Sequence, residues 1–194
     1  MKPGKNLSEL CYSFIYDVSW LTDYEVATDE LSAQIGMACS GAEAEEDRLR
    51  DLRPEIVPDL ERLQALALHA NGSLRGRAAI EEADLEWLHE RYARHSAAIE
   101  AAEPERLKTF VLPRGRAPVP DLHAARASAK KALRCLVRLE AETPGVVIPP
   151  EIPRFLNLLC NFVFVLAVRV NQARGVCEPT FISRSYRVGR TGKK

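Results

Sequence analysis

The chain lacks the short signatures that identify most enzymes. Its four histidines (His69, His89, His95, His123) are scattered and form no ligand cluster, so no metal site is expected. No Gly-rich P-loop and no Ser-His-Asp order is present. The five cysteines (Cys11, Cys39, Cys135, Cys160, Cys177) include no CxxC pair, and their number is odd. That argues against a disulfide framework and for reduced thiols in a cytoplasm or mitochondrial matrix. Neither charge dominates, with 27 acids against 27 bases, so no global field draws the chain to nucleic acid or membrane. The longest apolar run, residues 162–168, falls far short of the ~20 residues a membrane span needs. Met1 is followed by neither a signal-like apolar run nor an Arg-rich leader, although a removed leader would leave no trace.

What the chain has is helical periodicity and sparse punctuation. Residues 121–142 contain no Pro or Gly, and Leu122, Ala125, Ala129, Ala132, Leu136 and Leu139 recur at steps of three and four. Asp121, following Pro120, is the expected N-cap. Residues 153–173 are apolar nearly all round, which predicts a central helix shared between the bundle and a neighbouring chain. Three further helices are expected over 28–48, 54–69 and 82–101, the first opening at Thr28 or Asp29. Asn71-Gly72 is the stop signal of the second. His89 and His95, on the charged 82–101 helix, are expected to face solvent. The fold class is all-α: a five-helix up-down bundle over 27–174, preceded by an N-terminal region at 1–26 and followed by a tail at 175–194. From Pro179 onward there are five bases (Arg184, Arg187, Arg190, Lys193, Lys194) and no acid. Such a tail is a solvated run or an RNA contact.

Periodicity alone says nothing of chemistry, but four passages do. Phe110-Val111-Leu112-Pro113-Arg114-Gly115 precedes Leu122-His123-Ala124-Ala125-Arg126. Phe155-Leu156-Asn157 opens a later passage, with Asn171 beyond it. Asp29-Glu30-Leu31 with Gly36 lies near the front. In this order and spacing they resemble the PduO-type ATP:corrinoid (cob(I)alamin) adenosyltransferases. The resemblance implies a five-helix bundle assembled as a homotrimer with active sites between subunits. It implies transfer of the 5′-deoxyadenosyl group from ATP, with Mg2+, to cobalamin reduced to cob(I)alamin. Phe110 would be the aromatic wedge that keeps the lower axial ligand off cobalt. Asp29 and Arg126 would form an intersubunit salt bridge beside the corrin. Asn157 would lie on the corrin side, Arg134, Lys130 and Asn171 near ATP, and Glu30 would be the acid of the Asp-Glu-Leu passage. Read without the resemblance, Phe110 is a core plug, Asp29 and Arg126 are surface charges, and Asn157 is a buried amide. His123 is an orienting or capping residue.

The sequence departs from the family's pattern on the phosphate side. Where the family has a glycine-rich N-terminal loop, this chain reads Met1-Lys2-Pro3-Gly4-Lys5-Asn6-Leu7-Ser8. Glycines matter there because only they let backbone N–H groups crowd around phosphate. The family's phosphate-binding lysine has no counterpart between Asp17 and Asp23. Lys130 replaces an arginine, losing the bidentate fork, and Leu133 replaces an acid. Three readings follow: an active adenosyltransferase; an inactive homologue serving as a structural or interaction subunit of a larger complex, such as a mitochondrial-ribosome-like ribonucleoprotein; and a corrin carrier.

Overall fold

The computed structural model describes Gly4 and residues 6–45 and 49–185. Five helices follow in order: α1 (Trp20–Glu43), α2 (Arg53–Gly72), α3 (Glu82–Ala102), α4 (Val119–Glu142) and α5 (Glu151–Ala173). Two single 3-10 turns, Leu7–Glu9 and Arg106–Lys108, lie outside them. Among the described residues the one β-type pairing is an isolated bridge between Val111 and Thr180.

The helices begin where caps allow. α1 starts well before the expected Thr28, because Ser19 caps it by accepting from the Thr22 N–H at 3.2 Å. Thr28 is instead buried in mid-helix, where its hydroxyl is satisfied by the Tyr24 carbonyl at 2.9 Å. α4 starts at Val119, and Asp121 falls inside its first turn rather than capping it. There its negative charge favours the positive helix end. α3 is closed at its start by the Asp84 carboxylate, which accepts from the Glu81 N–H at 3.1 Å.

The packing order is α2–α1–α4–α5–α3, with α1 against α2 and α4, and α5 against α4 and α3. Small residues on α4 (Ala125, Ala129, Ala132) meet Leu31 and Ile35 of α1 within one core. α5 supplies Phe155, Leu159, Phe162 and Leu166, all without solvent exposure. Each fully buried side chain of this size contributes roughly 1.5–3 kcal/mol. α5 is long and apolar enough to cross a membrane by length and composition, yet 67% of its apolar window is buried inside the bundle. Its core position accounts for its composition.

The α2–α3 seam is the exception to apolar packing. It is bridged by Arg62–Asp84 (3.0 Å), Arg91–Asp59 (3.2 Å) and Arg94–Glu55 (3.1 Å). His95 belongs to this seam and does not face solvent: it is 2% exposed and its Nε2 lies 3.7 Å from Asp59. His89 is exposed as expected.

Candidate active site

Phe110 is not a core plug. Its side chain is 55% exposed, on the extended segment between the Arg106–Lys108 turn and α4. What holds it is the chain beyond α5, which turns back at Gly175 and runs antiparallel to it. The Leu112 N–H donates to Pro179 O and the Phe181 N–H to Phe110 O, both at 2.8 Å. The rings of Phe110 and Phe181 meet at a centroid distance of 5.4 Å. Residues 176–181, read from sequence as the start of a solvated tail, are therefore a docked strap. Arg184 is exposed, while Arg187, Arg190, Lys193 and Lys194 lie outside the described residues.

The end of α5 clamps this region from below. Asn171 has no solvent exposure, and its Nδ2 donates to Arg114 O and Glu178 Oε1, both at 2.8 Å. It joins the loop before α4 to the segment after α5. Gly115 is required beside it, because a Cβ there would lie 2.7 Å from Asn171 Oδ1. Arg174 donates to the carbonyls of Arg116 (3.1 Å) and Ala117 (2.6 Å) and pairs with Glu45 at 3.2 Å.

α4 carries the cationic face. Arg126, Lys130 and Arg134 stand four residues apart, which sets them along one inclined stripe. None of the three has an ion-pair partner among the described residues, and Lys130 and Arg134 are exposed or half-buried at the surface. Their neighbours are engaged: Lys131 pairs with Glu30 at 2.5 Å and Arg138 with Glu142 at 2.9 Å. Glu30 is thus committed to an α1–α4 contact, and the Lys131 ammonium holds its carboxyl below the usual range. The Arg126 guanidinium sits 5.3 Å from the centre of the Phe164 ring. Leu133, standing where the family has an acid, packs half-buried against the core.

His123, one turn before Arg126, does not cap: both ring nitrogens are buried without a hydrogen-bond partner among the described residues. Burial first, and then the Arg126 charge, push its pKa down to about 4. The imidazole is neutral at physiological pH and adds no charge beside Arg126.

Asp29 is exposed on α1 and forms no ion pair with Arg126 of its own chain or with any other described residue. It lines a cavity of about 370 Å³ with Cys11, Tyr12, Ile15, Val26 and Asn71. Glu25 also lines it, and with Tyr12 belongs to a cluster that nothing in the sequence marked. Glu25, buried to 4% exposure, receives Arg75 Nε at 2.6 Å and the Tyr12 hydroxyl at 2.5 Å. Arg75 also covers the Phe14 ring at 3.6 Å. Of the suspected phosphate loop, Met1, Lys2, Pro3 and Lys5 lie outside the described residues. Asn157 is exposed rather than buried, with its Nδ2 donating to Pro153 O at 2.9 Å.

Comparison with known proteins gives one family by two routes and the same fold by a third. A family model described as cobalamin adenosyltransferase matches residues 24–170. A cobalamin adenosyltransferase of Cupriavidus metallidurans is 31% identical over 147 residues, covering 76% of this chain and 72% of the relative. Among solved structures, a phenylalanine-to-histidine variant of the PduO-type ATP:corrinoid adenosyltransferase of Lactobacillus reuteri, complexed with cobalamin and ATP, superimposes with a TM-score of 0.69. It is 22% identical, and the match covers 88% of this chain and 87% of that one. An arginine-to-lysine variant of the same Lactobacillus reuteri enzyme, complexed with ATP, gives 0.67 at 22% identity over 88% and 90% of the chains. The five-helix fold, the order of its motifs and these matches agree: the chain belongs to the cobalamin adenosyltransferase family.

Proposed function

We propose that this protein transfers the 5′-deoxyadenosyl group of ATP to the cobalt of a reduced corrinoid. Cobalt(I) attacks C5′ with its electron pair, the Co–C bond forms, and the C5′–O bond breaks. The electrons of that bond leave with the triphosphate oxygen. The observation that carries this reading is Phe110, an aromatic held rigidly by its backbone yet half exposed. A wedge against the lower face of a corrin needs both properties. A buried plug lacks the exposure, and a mobile surface aromatic lacks the fixed position.

The stripe of Arg126, Lys130 and Arg134 supports the phosphate half of the reaction. Three cations without ion-pair partners among the described residues offset charge that develops on a leaving triphosphate. Magnesium would arrive with the nucleotide. Asp29 and Arg126 support a homotrimer, because neither has an ion-pair partner among the described residues and the two are complementary across a subunit boundary.

The test is turnover of cob(I)alamin with Mg-ATP by the purified protein, followed as adenosylcobalamin. Phe110→Ala should lower turnover by about two orders of magnitude, on the scale of losing one transition-state contact. Its unfolding free energy should fall by no more than ~0.5–1.5 kcal/mol, the scale of the Phe110–Phe181 ring contact. A folded wild type that neither binds ATP nor forms product would sink the proposal. Tight corrin binding without product would favour the carrier reading.

A further inference from the structure

The backbone strap that fixes Phe110 is anchored at one carboxylate. Glu178 is 7% exposed and lies in the strap between the end of α5 and Phe181. Its Oε2 receives Arg106 Nη2 at 2.6 Å and its Oε1 receives Asn171 Nδ2 at 2.8 Å. The same Arg106 donates to the strap itself, at the Val176 carbonyl (2.6 Å), and to both oxygens of Glu103 (2.8 and 2.9 Å). The side chains of Arg106 and Glu178 are 8% and 2% exposed.

Arg106 stands four residues before Phe110, and Glu178 three residues before Phe181. One buried ion pair therefore sets the approach of both segments whose aromatic rings meet. Burying both charges has a large desolvation cost, so such a pair is poor evidence for stability by itself. What it offers is a single geometry: the planar guanidinium engages three acceptor groups from fixed directions. An apolar pair of the same volume would leave the strap free to slide along the extended segment, because only two backbone hydrogen bonds define their register.

We propose that Arg106 and Glu178 are positioning residues for Phe110: their ion pair locks the 176–181 strap against the 110–112 segment and so sets where the wedge aromatic stands. The proposal rests on the adenosyl-transfer reading for its consequence, but not for its geometry.

The test uses Glu178→Gln and Arg106→Lys in the full chain. In Glu178→Gln the new side-chain amide has one acceptor oxygen for two donors, so either Arg106 or Asn171 loses its bond. Arg106→Lys keeps the charge, but a single ammonium cannot span Glu103, Val176 and Glu178 together. Hydrogen exchange reads the lock directly. Protection of the Leu112 and Phe181 amides should fall at least tenfold in Glu178→Gln, and less in Arg106→Lys. Amides in the middle of α4 and α5 should keep their wild-type protection.

The paramagnetic resonance spectrum of bound cob(II)alamin with Mg-ATP reads the consequence. The fraction of cobalt free of lower axial nitrogen coupling should fall at least fivefold in Glu178→Gln, while the ATP dissociation constant moves less than twofold. Unchanged exchange at Leu112 and Phe181 overturns the lock. Loss of protection throughout α4 and α5 shows a purely structural pair and also overturns it. A lost lock with an unchanged cobalt spectrum overturns the link to Phe110. A wild type that never shows the uncoupled cobalt signal overturns the adenosyl-transfer reading instead, with the exchange data still deciding the lock.

Discussion

The side-chain amide of Asn171, with no solvent exposure, donates a 2.8 Å hydrogen bond to the carbonyl of Arg114 across 57 residues of chain. The same nitrogen holds Glu178, so one side chain joins the loop before α4 to the strap after α5. Asn171→Ala removes both bonds and leaves the buried Glu178 carboxylate and the Arg114 carbonyl each short of a donor. The expected cost is ~1–3 kcal/mol, read from denaturant unfolding. Gly115→Ala should cost a similar amount with every hydrogen-bonding group intact, because its Cβ would meet Asn171 Oδ1 and Val119 at 2.7 Å. If either variant unfolds like wild type, the clamp contributes nothing.

The unpaired cations of α4 predict a separation between binding and stability. Lys130→Met and Arg134→Met should leave the unfolding free energy within ~0.5 kcal/mol, since both side chains reach the surface without ion-pair partners among the described residues. Each should weaken ATP binding by about tenfold or more, the scale of one charge-assisted hydrogen bond of ~1.5–3 kcal/mol. Lys131→Met is the contrast. It breaks the exposed pair with Glu30, worth ~0–1 kcal/mol, and should leave ATP affinity alone. Calorimetric titration of the three variants decides the matter. Equal effects of Lys130 and Lys131 would mean that the stripe acts only as diffuse charge.

Why the bundle was legible and its site only in part has a physical reason. A helix writes its buried face into the sequence at steps of three and four, which made α4 readable from Leu and Ala spacing, while α5 was readable from being apolar nearly all round. The start of α1 was not, because a cap is one residue's hydrogen bond. Ser19 carries that bond for α1, while Thr28 satisfies its hydroxyl inside the helix. His95 was misplaced because its helix is charged on average. The polar α2–α3 seam buries it beside Asp59 all the same. Phe110, Asp29 and Arg126 were singled out by motif order, which names residues but not their surroundings. Glu178, Phe181 and Arg75 act through contacts made by distant parts of the chain, and nothing local in the sequence marks them. A docked strap and a solvated tail share the same composition.

The Glu25–Arg75 pair predicts how the N-terminal segment is held. Glu25 is buried, and Arg75 is the cation that compensates it while stacking on Phe14. Arg75→Leu leaves that carboxylate without its counter-charge and should destabilise the fold by ~2–4 kcal/mol. The value falls somewhat below that for a fully enclosed pair, because the Arg75 side chain is 29% exposed. Tyr12→Phe removes only one hydroxyl bond to Glu25 and should cost ~0.5–1.5 kcal/mol. Thermal unfolding gives both values. A smaller loss for Arg75→Leu than for Tyr12→Phe would show that the hydroxyl, not the guanidinium, secures Glu25.

The neutral imidazole of His123 makes stability depend on pH in a predictable direction. Its folded pKa is depressed to about 4, with burial as the main cause and the Arg126 charge as the second. In the unfolded chain an ordinary histidine titrates near ~6.5. Between those values the unfolded state binds a proton that the native state refuses, so stability is complete above about pH 7 and falls as pH drops toward 4. One such group contributes a slope of at most ~1.4 kcal/mol per pH unit, and less here because the ring is partly open to solvent. His123→Asn removes the titration, so wild-type and variant unfolding curves measured from pH 7 down to pH 4.5 should differ in slope over that interval. Parallel curves would show that His123 is protonated in the native state, and that Arg126 then stands beside a second positive charge.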